Sequence, residues 1–459
     1  MKKLNYILLL LLIPGIIVGQ NKLPSVISKD TTLTKDNSPY LINGSLKVNS
    51  GATLKINAGV VIELTAAAMI TVNGNLIAQG NIDDSVYFES SVAGQQWGYI
   101  TGTGSNIELD YAKVTGDRMC VFAGNVNTIR VSHCYIKSTA TGSGEDCIAI
   151  EVGKKITIEY VTLIGMGGSI AKGSKNDAID LDDDDSCFIQ HNFISHFSDD
   201  AIDIGTNTKY AYISDNIVSY TNYGVTVGES SVAYLVNNIS YHNDGGFQVH
   251  TGAIIYCTNN TLYANTVGIE CFHSEVTTSQ TPGTAIVRNT IFSNTKNEDF
   301  FIQPTSVYTV VYSISDKQQF DSTGNLEGDA MLVDPQKGNF NLAVGSPCIA
   351  AGKDTFGNNI DMGAIGLPVI QPIVLNTPIS KIFNINLYPN PANDKVYINN
   401  LKKGSNINVF DLNGHIVFTD ETNLKSDYII DTRNFRKGFY IIRVNDLSGT
   451  SFTGSFIKD

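Results

Sequence analysis

The sequence predicts an all-β chain, a parallel solenoid of short strands followed by a small β-sandwich, on three observations. The first is a phrase that recurs every 22 or 23 residues: Asp177-Ala178-Ile179-Asp180-Leu181-Asp182, Asp200-Ala201-Ile202-Asp203-Ile204-Gly205, then the segments opening at Tyr223, Gly245 and Val267. A recurrence of that length is one structural coil stacked on another. The second is a period of two inside each phrase. Ile179/Leu181, Ile202/Ile204, Val225/Val227, Phe247/Val249 and Ile269/Cys271 alternate with polar residues, as in a half-buried strand. The third is composition: only 16% of residues are charged while Gly, Asn, Ser and Thr are abundant, a balance that suits strands and turns over helices. Each coil lays its strand parallel to the last at about 4.8 Å, so 459 residues need no single large core.

Taken in order, Met1-Lys2-Lys3 and the apolar run from Ile7 to Val18 read as a signal peptide over residues 1–19, cleaved after Gly19. No later apolar run approaches the roughly 20 residues of a membrane helix, so no transmembrane segment is expected after signal removal. No Cys near the cleavage point offers a lipid anchor. The net charge of −13 argues against a nucleic-acid partner, which would call for a basic face. Seven cysteines without paired spacing make a poor disulfide framework, and Cys187, Cys257 and Cys271 fall on inward positions as small core residues.

Residues 20–366 are expected to form the solenoid. Between 40 and 90, short alternating strands such as Ser45-Leu46-Lys47-Val48 and Val60-Val61-Ile62-Glu63-Leu64 are punctuated by glycines at turns. The runs PYLINGSLKVNSGATLKINAGVVIEL and ITVNGNLIAQG resemble the opening coils of bacterial right-handed parallel β-helix proteins. The stretch from Asp334-Pro335 through GNFNLAVGSPCIAAG to Ala364 is similar to their terminal coils. Asn192, Asn216, Asn238, Asn260 and Asn289 recur at matched spacing, as a structural amide stack would. Insertions at 164–176 and 274–284 lengthen two coils, and loops of that kind commonly wall a binding groove.

Residues 367–382, with three prolines and no repeat, read as a linker. Residues 383–459 then carry short strands of a small β-sandwich. The ordered motifs LYPNPA, FDLNG, KGFYIIRV and a terminal FIK resemble the type IX secretion sorting domain, a small Ig-like β-sandwich. That resemblance implies handling by the type IX secretion machinery and a secreted or cell-surface protein, with its activity upstream.

The chemistry concentrates in 177–203, where nine aspartates occupy 27 positions with no Lys or Arg between them. Stacking aligns Asp180, Asp203, Thr226, Gln248 and Glu270 in one outward row and Asp177, Asp200, Tyr223, Gly245 and Val267 in another. Unpaired carboxylates that close call for a cation, a shared proton or solvation. Asp177, Asp180, Asp199, Asp200 and Asp203 are the candidate ligands of Ca²⁺, which takes six to eight oxygens. Asp183, Asp184 and Asp185 lie in a connection and are expected to be solvated or paired with Lys209.

The phrase Asp199-Asp200-Ala201-Ile202-Asp203 resembles the calcium pocket of polysaccharide lyase family 9. Asp199, Asp200 and Asp203 would then be ligands, and Asp177 or Asp180 would stand for the ligand of the preceding coil. In that family the ion neutralises a uronate and a later Lys takes the C5 proton, whereas Tyr210 to Val287 here holds no Lys or Arg. The base would have to come from Lys209, Lys175, Lys172, His250 or His242. A second reading is a glycoside hydrolase using paired Asp residues from Asp180, Asp200 and Asp203, although the Gly-His-Gly and Arg-Ile-Lys of family 28 are missing. A third is a non-catalytic carbohydrate-binding or structural surface protein with a calcium-stiffened solenoid. In it Thr226, Gln248, Glu270 and Tyr223 contact an acidic polysaccharide.

Overall fold

The structure is a computed structural model. It describes residues 21–140, 142–166, 175–272, 281–303, 305–368, 383–384, 387–401, 405–411, 416–422, 426–445 and 451–458. The expected signal peptide and most of the expected linker lie outside those residues.

About a dozen coils wind three parallel sheets. Sheet I runs from Val26–Ile27 to Glu298–Ile302, sheet II from Thr31–Leu33 to Val307–Val311, and sheet III from Asn21–Lys22 to Leu326–Glu327. Each coil visits the three in that order, and the long strand Ile100–Asp110 turns the corner from sheet I to sheet II without a break. The period-two pattern sets which side chains enter. Leu181, Ile204, Val227, Val249 and Cys271 are register neighbours on successive coils and none is exposed. Each such side chain contributes roughly 1.5–3 kcal/mol by leaving water. All seven cysteines are buried and free.

Corners are fixed by polar stacks. Asn192, Asn216 and Asn238 each donate Nδ2 to the Oδ1 of the Asn one coil on, at 2.9, 3.0 and 3.1 Å. Each amide also donates to a backbone carbonyl in the sheet II strand of the preceding coil, at Ile158, Ile189 and Ile213. The expected fifth member, Asn289, is displaced by one position. Register pairs Thr261 with Ile291, so Thr290 and then Ser313 continue the column. Asn289 instead stacks on Asn259 at the neighbouring corner position, where both have positive φ.

The stretch expected as terminal coils takes another course. Leu332–Asp334 pairs antiparallel with Asn339–Leu342, and Gly352–Lys353 pairs with Asn359–Ile360. The segment doubles back along the solenoid's flank. Ile365 and Lys353 each exchange two hydrogen bonds with a single amide side chain, that of Asn237 and that of Asn289 respectively. Phe340, with Leu332 and Leu367, packs on Ile217, Ile239, Tyr241 and Tyr263 of sheet III. The physical reason is that sheet III carries apolar groups outward in these coils, and the returning chain covers them.

The carboxyl-terminal domain has a five-stranded and a three-stranded sheet. Val396, Ile398 and Ile430 of the smaller meet Ile407, Val409, Ile442, Val444 and Phe456 of the larger in one core, as a small sandwich requires.

Candidate cation site

Sheet I presents the acidic phrases side by side. Asp180 and Asp203 are register neighbours, and the row continues through Thr226, Gln248 and Glu270. At the strand entrance a second column is built from backbone caps. The Asp146 carboxylate accepts the N–H of Asp177 at 2.8 Å, Asp177 that of Asp200 at 2.6 Å, and Asp200 that of Tyr223 at 2.9 Å. Each cap orients its carboxylate and leaves the second oxygen for another use.

Two triads result. Ligand oxygens of Asp146, Asp177 and Asp180 all lie within 4.8 Å of one another, as do those of Asp177, Asp199 and Asp200. Asp177 belongs to both. Asp203 stands in the row beside Asp180, in neither triad. Asp146 escaped the sequence reading, although Asp146-Cys147-Ile148-Ala149-Ile150 is an earlier copy of the phrase. The insertion before Asp177 stretches its spacing to 31 residues.

Electrostatics follows from this crowding. Burial, then the charges of Asp200 and Asp203, hold the Asp177 carboxyl well above its ordinary range, and burial with Asp200 does the same to Asp203. Asp180 is pushed up to about 7 by burial and by Asp146 and Asp182. Asp200 also reaches about 7 through burial and Asp199, against the lowering effects of Thr226, the Tyr223 N–H and the charge of Lys175. Hard oxygens only, crowded and desolvated, make a donor set suited to a divalent cation.

Two basic residues lie near the site. Arg118 pairs with Glu145 at 2.5 Å, next to Asp146. Asn176 ties the base of the first insertion down, donating to the Gly142 carbonyl at 2.7 Å and accepting from the Glu145 N–H at 3.1 Å. Lys175 follows that loop and is exposed, its carbonyl bound by the Gly144 N–H. Residues 167–174, with Lys172, and 273–280, which include the first part of the second insertion, lie outside the described residues.

Other expected site residues take distinct places. Lys209 pairs with Asp185 at an exposed corner. Asp184, expected to be solvated or paired with Lys209, is fully buried, and its carboxylate accepts the Cys187 thiol at 3.4 Å. Thr226 is only 3% exposed and donates to Asp200 at 2.5 Å. Gln248 donates to Glu270 at 3.2 Å, and so does the Tyr223 hydroxyl. His250 contacts Thr251 at 3.0 Å and packs 5.4 Å from Phe272, with burial pulling its pKa down. His242 lies at the corner after sheet III, stacked 5.5 Å from Tyr220.

Comparison with known families agrees with this architecture. Residues 156–310 match the family described as right handed beta helix region, and residues 386–459 match the secretion system C-terminal sorting domain. The solenoid is a right-handed parallel β-helix. The sorting domain marks the chain for type IX secretion to the cell surface or extracellular space. No curated protein matches the chain. Among solved structures, PorZ, a surface component of the type-IX secretion system of Porphyromonas gingivalis, is 22% identical over 18% of this chain and 12% of that chain, with a TM-score of 0.16. A double mutant of the periplasmic alginate epimerase AlgG is 10% identical over 62% of this chain and 84% of its own, with a TM-score of 0.44. An alginate lyase from Paenibacillus sp. is 15% identical over 55% and 93%, with a TM-score of 0.28.

Proposed function

We propose that the β-helix engages an acidic polysaccharide along sheet I, outside the cell, through calcium held by Asp146, Asp177, Asp180, Asp199 and Asp200. The observation that carries this reading is the sharing of Asp177 between two carboxylate triads on one face. Five carboxylates from three coils offer hard oxygens and still leave a calcium ion, which takes six to eight, room for the carboxylate of a uronate. Asp203 stands beside Asp180 in the same row. Calcium bound there supplies the positive charge that neutralises a uronate and acidifies the proton next to its carboxylate.

The enzymatic form of the reading is a calcium-dependent uronan lyase, pectate-like, in which this chain's own part is to take that proton. Lys175 is the basic group whose charge reaches Asp200, and it is exposed beside the site. The non-catalytic form needs only the ion and the sheet face. A hydrolase would use the register neighbours Asp180 and Asp203 as its paired carboxyl groups.

One assay separates the three. The mature protein is incubated with pectate and alginate, with and without calcium. Ultraviolet-absorbing unsaturated ends that vanish in Lys175→Ala establish the lyase, whereas new reducing ends without that absorbance establish hydrolysis. Calcium-dependent retention on the polymer without turnover establishes binding. If calcium promotes neither turnover nor retention, the reading is wrong.

A further inference from the structure

We propose that sheet I carries a second subsite, one to three coils past the carboxylates, that takes an uncharged sugar residue without any metal ion. Its parts are Tyr223, Gln248, Glu270 and His250, and the proposal rests on the reading of sheet I as the polysaccharide face.

Two missing side chains create it. A Cβ on Gly245 would stand 2.1 Å from Cδ1 and Cε1 of Tyr223, and a Cβ on Gly228 would stand 2.6 Å from Cε1 of His250. The Tyr223 ring therefore leans forward over the next coil, and the His250 ring leans back over the previous one. They approach from opposite edges of the row that holds Thr226 and Gln248. An aromatic ring on either side of a polar floor is a common way to seat a pyranose, whose apolar ring face and hydroxyls are met together.

Hydrogen bonding and charge define the occupant. The Glu270 carboxylate accepts both the Tyr223 hydroxyl and the Gln248 amide, which fixes both donors. The charges that bear on His250 come from Glu229 and Glu270, and both are negative. A uronate carboxylate would be repelled here, whereas hydroxyls meet acceptors on Glu270 and an amide on Gln248. The row is continuous with Asp203, so an anionic residue at the carboxylates and a neutral one here belong to one extended glycan chain.

The test is calorimetric titration of the mature protein with neutral gluco-, xylo-, galacto- and manno-oligosaccharides in EDTA, alongside oligogalacturonate and oligoalginate in calcium. At least one neutral series is expected to bind in EDTA. Tyr223→Phe and Gln248→Ala, each checked for an unchanged melting curve, are expected to weaken it about tenfold, the scale of one good hydrogen bond. No binding of any neutral series, or equal binding by both variants, overturns the subsite. Neutral binding that Tyr223→Phe weakens upholds it even where no uronan binds in calcium, an outcome that would remove only the acidic-polysaccharide reading. Calcium-dependent uronan binding with no neutral ligand would do the reverse.

Discussion

The Asp177 carboxylate accepts the backbone N–H of Asp200 at 2.6 Å, one coil on, and contributes an oxygen to each of two clusters whose ligand atoms lie within 4.8 Å of one another, one with Asp146 and Asp180 and one with Asp199 and Asp200. One side chain thus caps the solenoid and joins both triads. Asp177→Asn keeps the acceptor and removes the charge. In EDTA this relieves repulsion, and the variant is expected to melt above wild type; in calcium the order is expected to reverse. Differential scanning calorimetry in the two buffers checks it, and an unchanged order would refute a cation at Asp177.

Asp146 serves one triad only. Asp146→Asn is therefore expected to weaken calcium binding less than Asp177→Asn does, because Asp177, Asp199 and Asp200 remain together. Isothermal titration of both variants reads the difference, and equal losses would mean that the triads do not act separately.

Asp117 gives a pH prediction away from the site. It is fully buried, its carboxylate accepts no hydrogen bond from any other described residue, and burial pushes its pKa to about 7. The folded chain then holds a proton that the unfolded chain releases near the ordinary carboxylate value of 3.8. Above that value the unfolded state binds fewer protons, so the contribution of this group falls as pH rises and levels off past about 7. Asp117→Asn should remove that slope, gaining on wild type in urea unfolding as pH rises from 3.8 to about 7. Parallel curves for the two proteins would show that Asp117 is ionised in the fold.

Asn238 is 1% exposed and makes four hydrogen bonds through its side chain, to Asn216 twice, Ile213 and Asn260. Asn238→Ala is expected to destabilise the chain by about 3 kcal/mol or more, since it removes hydrogen-bond partners from the coils on both sides. Asn238→Asp should also destabilise it, because a carboxylate cannot donate to the Ile213 carbonyl. Denaturant midpoints measure both, and a near-neutral Asp variant would contradict the assigned amide orientation.

Much of this was legible in the sequence because a coil of constant length makes spacing a direct record of neighbours. Asp177 and Asp200, 23 residues apart, had to meet, and the row from Asp180 to Glu270 followed. Where an insertion broke the count, the record failed. Asp146 sits 31 residues before its neighbour, and Asn289 was assigned to a column that Thr290 occupies. Asp184 reads as a member of a charged run, yet alternation within the corner turns it inward, which composition cannot reveal. The returning flank segment was illegible for another reason. Its partners are amide side chains of Asn237, Asn259 and Asn289, and no periodicity announces a strand that pairs with side chains.

That flank segment also fixes where the chain departs. Ile365 is bound to Asn237 and Leu367 packs beside Ile217 and Tyr263, so the polypeptide leaves alongside middle turns of the spiral and not from its last one. A pull on the chain beyond Leu367 would therefore load the Ile365–Asn237 hydrogen bonds first, then those of Asp361 and Lys353, and only afterwards the apolar seat of Phe340.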